Sequence, residues 1–210
     1  MHKKMTVAVL AALISAGAHA GFVEIDNFDS GDQFISLNGT DTNSIRTLTN
    51  QLLASAPPIQ STVEVSFGFL TVTNGSGERS QVTVSWDLGA GLIPAGSSGL
   101  EFLFTVVESD GNPTNVAFSL DGNPLFSSAI PGNTLNQDVT FGLADDALDS
   151  GGILELVISG AAGWDLQLDA FGVSFTDPET PDPGVPEPIS LALVGLGLAG
   201  VAGLRRSRRA

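Results

Sequence analysis

The chain has 210 residues, 23 acidic and 8 basic, for a formal net charge of −15 at neutral pH. That balance repels phosphate backbones and anionic lipid, and it excludes nucleic-acid recognition. Cysteine and tyrosine are both absent, so no disulfide supports the fold and neither thiol nor phenol is available for chemistry.

The first twenty residues begin with Lys3 and Lys4, continue through an apolar run from Met5 to Ala18, and close with Ala18-His19-Ala20 before Gly21. A basic start, a short hydrophobic region and small residues at the −3 and −1 positions are the parts of a secretory signal peptide. Cleavage between Ala20 and Gly21 is expected, with the Sec translocon and signal peptidase as partners. An uncleaved N-terminal anchor is the competing reading, disfavoured by the shortness of the apolar run.

From Gly21 onward the patterns are those of strands. Phe22-Val23-Glu24-Ile25-Asp26-Asn27-Phe28-Asp29 is an acidic-apolar opening strand. Residues 44–54 are the only stretch that fits a short helix, although its threonines argue against one. Val63, Val65, Phe67 and Phe69 alternate with Thr62, Glu64, Ser66 and Gly68, the period of a half-buried strand. Val82, Val84, Trp86 and Leu88 repeat that period beyond Asn74-Gly75-Ser76-Gly77, which suggests a hairpin. Further strands are expected at 100–107, 115–120, 137–143, 153–159 and 166–175. Turns are expected at Asp110-Gly111-Asn112-Pro113, Asp121-Gly122-Asn123-Pro124 and Ser150-Gly151-Gly152. In the last strand Leu166 and Leu168 share one parity while Phe171, Val173 and Phe175 share the other. A bulge at Asp169-Ala170 would place both sets on one buried face. Many short strands and almost no helix indicate an all-β antiparallel sandwich.

Residues 176–184 are proline-rich and acidic, without an apolar anchor, and are expected to form an extended tether. Val185-Pro186-Glu187-Pro188 follows, then an uncharged apolar stretch over 189–204, then Arg205, Arg206, Arg208 and Arg209. Sixteen helical residues reach roughly 24 Å, short against a hydrocarbon core of about 30 Å. The arginines hold the far end on the cytoplasmic side. A buried C-terminal core helix is the competing reading of the apolar stretch. The expected order is therefore a signal peptide over 1–20, a sandwich domain over 21–175, a linker over 176–184 and a sorting segment over 185–210.

This tail resembles the PEP-CTERM sorting signal, the bacterial C-terminal signal handled by exosortase. The resemblance rests on Pro186-Glu187-Pro188, the span 189–204 and the arginine cluster, in that order. It implies exosortase as a partner, transient anchoring in the inner membrane, recognition near Pro186-Glu187-Pro188 with removal of the tail, and delivery to the cell surface or an exopolysaccharide (biofilm) matrix. The body is similar to the jelly-roll sandwiches of galactose-binding-like and carbohydrate-binding modules. That likeness is carried by Ile25-Asp26-Asn27-Phe28-Asp29 at the start and Trp164-Asp165-Leu166-Gln167-Leu168-Asp169-Ala170-Phe171-Gly172-Val173 at the end. It implies that the first and last strands are neighbours and that a structural calcium is frequent.

Without its two ends the body keeps 22 acidic residues against Arg46 and Arg79, a net charge of −20, and no His, Cys, Lys or Tyr. Ser-His-Asp and Cys-His catalysis and nitrogen- or sulfur-ligated zinc are thereby excluded. A carboxylate-only glycosidase survives on paper through Glu64, Glu101, Glu108, Asp87 and Asp165, with nothing in the sequence to pair them. Calcium suits the all-oxygen ligand set. The candidate ligands are Asp26, Asp29 and Asp32, joined by Asp169 if the terminal strands are neighbours; Asp145, Asp146 and Asp149 form a second cluster. For glycan contact, Trp86 has core parity, which leaves Trp164 as the candidate platform. The expected role is non-enzymatic, structural or adhesive, with a carbohydrate-binding module as the alternative.

Overall fold

A computed structural model describes residues 20–57 and 59–178. The signal-peptide residues through His19, the sequence from Glu179, the Val185-Pro186-Glu187-Pro188 motif, the 189–204 span and the arginine cluster lie outside the described residues.

The described chain forms thirteen strands: β1 (Ala20–Asp26), β2 (Gln33–Ser36), β3 (Gly39–Thr42), β4 (Thr47–Ala54), β5 (Thr62–Ser66), β6 (Phe69–Thr73), β7 (Arg79–Leu88), β8 (Ser98–Ser109), β9 (Thr114–Leu120), β10 (Asn123–Ile130), β11 (Leu135–Gly142), β12 (Gly152–Gly160) and β13 (Leu166–Thr176). They pair antiparallel in two sheets. The first runs β11-β8-β13-β6-β5-β2, with β1 also on β13; the second runs β10-β9-β12-β7-β4-β3. The opening and closing strands are neighbours, as expected, with Ala20 opposite Thr176 and Val23 opposite Val173.

Alternation places the apolar side chains between the sheets. Val63, Val65, Leu70 and Val72 point inward from β5 and β6, and Val82, Val84 and Trp86 meet them from β7. The centre is aromatic: the Phe102 and Phe118 rings stack 4.7 Å apart, and Phe171 lies 5.3 Å from Phe118 and 5.1 Å from Trp86. In β13 the register advances from Leu168↔Val106 to Phe171↔Phe104. That extra residue is the bulge expected at Asp169-Ala170, and Leu166, Leu168, Phe171, Val173 and Phe175 are all buried.

Three expectations are corrected. Residues 47–54 form strand β4 rather than part of a helix, with Leu48 and Asn50 buried. Threonines on the other face bond across the strand pair, Thr40 to Thr49 at 3.0 Å and Thr42 to Thr47 at 3.1 Å, so β-branched residues decide the local conformation. Residues 62–69 are not one strand, because Phe67 and Gly68, with φ of 51° and 84°, close a two-residue hairpin between β5 and β6. The segment Asn74-Gly75-Ser76-Gly77 does not close a hairpin either; it carries the chain from β6 in the first sheet to β7 in the second. The buried Glu78 holds that corner, accepting the Gly75 N–H at 2.7 Å and the Gln60 N–H at 2.9 Å. Strand β10, beyond the Asp121-Gly122 turn, has no counterpart in the expected set because it is an edge strand with little buried periodicity.

Candidate functional site

Leu166 and Leu168 point into the core, so Gln167 between them points outward; on β6, Leu70 and Val72 do the same for Thr71. The register sets Gln167 opposite Thr71, and the Gln167 Nε2–H donates to Thr71 Oγ1 at 3.2 Å. On β8 a register shift lets both Val106 and Ser109 be buried, which leaves Glu108 exposed opposite Gln167. Thr73, Asp110 and Asp165 complete an open cleft of about 260 Å³.

Three carboxylates therefore line one cleft. Asp165 accepts the Asn74 N–H at 2.6 Å, and Asp110 accepts the Asn112 N–H at 3.0 Å and its Nδ2–H at 2.8 Å. Burial pushes the Asp165 carboxyl above its ordinary range; the Asn74 hydrogen bond opposes that shift and the neighbouring Asp110 charge adds to it.

The cleft opens onto a longer feature. Leu135 on β11 pairs with Glu108, Glu108 with Gln167, Gln167 with Thr71, Thr71 with Glu64, and Glu64 with Phe34 on β2. This single register line crosses six strands, or about 24 Å at the usual strand spacing. Its centre holds carboxylate, carboxamide and hydroxyl groups, and its ends are apolar side chains left 66% and 60% exposed, Leu135 and Phe34.

The residues expected from the sequence fall elsewhere. Trp164 is 0% exposed, and its Nε1–H donates to the Ser80 carbonyl at 3.2 Å. It is a core side chain and not a glycan platform. Asp26 is buried and ion-paired with Arg46, whose Nε and Nη2 both reach its carboxylate, the latter at 2.6 Å. It also accepts the Trp86 Nε1–H at 2.7 Å and the Phe28 N–H at 2.9 Å. With its lone pairs taken up by these donors, Asp26 does not fit a calcium ion. Asp29 and Asp32 are exposed, and Asp169 accepts the N–H of Ala170 at 2.6 Å. Asp145 and Asp146 are exposed, and Asp145 accepts the Gly99 N–H at 2.7 Å. Among the described residues, no three acidic side chains are placed to hold a metal ion. Of the five carboxylates named for glycosidase chemistry, Glu108 and Asp165 share the cleft, whereas Asp87 lies on the second sheet. Phe34, Thr71 and Gln167 were missed; the available signal was a polar or aromatic residue at outward parity between buried neighbours.

The fold and cleft define an antiparallel β-sandwich with an open polar face and, among the described residues, no helix long and apolar enough to cross a membrane. Residues 184–209 match the PEP-CTERM protein-sorting motif, so the chain carries the address of exosortase-processed envelope proteins. No curated protein matches the chain in sequence. Among solved structures it is similar to a CBM4 module, with 15% identity over 60% of this chain and 78% of that one and a TM-score of 0.40. It is also similar to the CBM35 module of Paenibacillus barcinonensis, with 11% identity, 73% and 97% coverage and a TM-score of 0.37. A family 29 carbohydrate-binding module of Piromyces equi gives 10% identity, 69% and 89% coverage and a TM-score of 0.32.

Proposed function

We propose that the exported domain is a non-catalytic, adhesive protein of the exopolysaccharide matrix, and that it holds a sugar polymer along the outer face of the first sheet. The observation that carries this reading is the register line from Leu135 through Glu108, Gln167, Thr71 and Glu64 to Phe34. Hydroxyl-rich chains need planar acceptors and amide donors in a row, with apolar surface for their C–H faces, and the line supplies both. Its length suits a polymer segment better than a single sugar. The charge of the body works against polyanionic polymers and leaves neutral or amine-bearing ones. Affinity electrophoresis in gels containing hydroxyethylcellulose, galactan or chitosan, with alginate as the anionic control, tests it. Retardation by at least one of the first three, weakened about tenfold or more by Gln167→Ala, is expected. Free migration in all three would sink the reading.

A second reading, a carboxylate-only glycosidase, is favoured by one observation: Asp165, with its raised pKa, shares the cleft with Glu108. Release of reducing ends from the same polymers, lost in Glu108→Gln, would establish it; intact polymer after prolonged incubation would remove it.

A further inference from the structure

Phe67 combines two unfavourable features that nothing within the domain offsets. It occupies the first central position of the β5–β6 hairpin with φ of 51°, followed by Gly68 at 84°. A two-residue turn with both φ values positive is a type I′ hairpin, where asparagine followed by glycine is the favoured pair and a bulky aromatic at the first position is an outlier. The ring is also 89% exposed, the most exposed large apolar side chain among the described residues.

Phe28 supplies the contrast. It too has a positive φ, 57°, but it is 1% exposed, and its ring lies 5.5 Å from the Arg46 guanidinium carbon. Burial offsets its backbone strain, whereas Phe67 has no burial to set against its own. The turn itself is held firmly. Ser66 pairs with Phe69 across it, and a Cβ on Gly68 would meet the Asp29 carboxylate at 2.8 Å. The ring therefore projects from a fixed base, and strain kept at an exposed position points to use by a ligand.

The neighbours identify the kind of ligand. Phe67 is three residues beyond Glu64 on the same hairpin, about 10 Å along the strand from the register line. The partly buried Phe69, with the outward parity of Thr71, lies between them on the same face. Anionic lipid and nucleic acid are repelled by the acidic body. A sugar ring presents a flat C–H face that packs on an aromatic ring, while its hydroxyls reach the adjacent polar row.

We infer that Phe67 is a projecting stacking platform for the polymer, extending the site beyond the cleft so that it selects chains over short oligosaccharides; this rests on the sugar-binding reading of the face. The closing experiment uses the full chain, produced with its leader and tail and purified in detergent. It compares wild type, Phe67→Asn, Phe67→Trp and Gln167→Ala in the hydroxyethylcellulose, galactan and chitosan gels, with thermal melts of each. Phe67→Asn restores the favoured turn pair, so its Tm is expected to rise by about 2 to 4 °C, while polymer affinity falls at least fivefold. Phe67→Trp keeps the ring and is expected to keep the affinity. Wild-type affinity in Phe67→Asn, with Gln167→Ala impaired, would overturn the inference and leave the sugar-binding reading intact. A lowered Tm in Phe67→Asn would also overturn it, by making Phe67 a structural residue. Absence of wild-type retardation in all three gels would overturn both.

Discussion

Asp165 is the side chain whose ionisation the cleft opposes. Its folded pKa lies above the ordinary value of 3.8, chiefly through burial. The folded state therefore holds this proton more tightly than the unfolded chain does. No cost arises while both states are protonated, and stability is lost as pH rises from 3.8 through the raised folded value. Asp165→Asn removes the titration and keeps an oxygen able to accept the Asn74 N–H. The variant is expected to melt above wild type at pH 7 and to match it at pH 3, followed by the fluorescence of the buried Trp86 and Trp164. An equal difference at both pH values would show that charge is not the cause. At this scale the sequence was a partial guide. It named Glu108 and Asp165 as surviving carboxylates, yet it could not pair residues 57 positions apart, a separation that only the β8–β13 register closes. It misplaced Trp164, since a glycine-rich approach is as compatible with burial as with exposure. Gly160 is in fact where a Cβ would collide with that indole, so the glycine makes room for the core.

Strand β13 shows what a local pattern can and cannot carry. Its two apolar parities require one extra residue, and that bulge was legible because both sets lie within a single strand. The β5–β6 hairpin was not legible, because Phe67 occupies a position that turn chemistry assigns to asparagine and its parity continues that of Val63 and Val65. The same parity logic yields a test. Deleting Ala170 removes the extra residue, so Leu166, Leu168, Phe171, Val173 and Phe175 fall on one parity and regular alternation keeps all five inward with Phe171 still opposite Phe104. All five side chains are buried, and Phe171 alone touches the rings of Trp86, Phe102 and Phe118. The deletion is therefore expected to keep cooperative thermal unfolding, and Ala170→Ser, which keeps the count and the bulge, is expected to cost about 1 kcal/mol or less. Loss of cooperative unfolding in the deletion variant would mean that the bulge itself, and not the shared parity, holds the strand in place.

The assignment of strands to two sheets depends on long-range partners and is a property of the whole molecule. Asp26 at the end of β1 in the first sheet meets Arg46, just before β4, and Trp86 of β7 in the second. One of the body's two arginines thus sits between the layers, and no sequence period records it. The same topology sets how the domain presents its site. Ala20 lies opposite Thr176, so both ends of the domain leave from the same end of the first sheet. The cleft lies at the Leu166 end of β13, ten residues away, or about 30 Å along the strand. Asp177, just beyond β13, therefore lies at the opposite end of that strand from the cleft. The absence of cysteine makes this testable, because one introduced thiol gives a unique point of attachment. Beads coupled through Asp177→Cys, just beyond the end of β13, are expected to capture polymer as well as free protein does. Coupling through Thr73→Cys, which lines the cleft, is expected to capture at least tenfold less per mole. Equal capture by the two attachments would place the binding surface elsewhere.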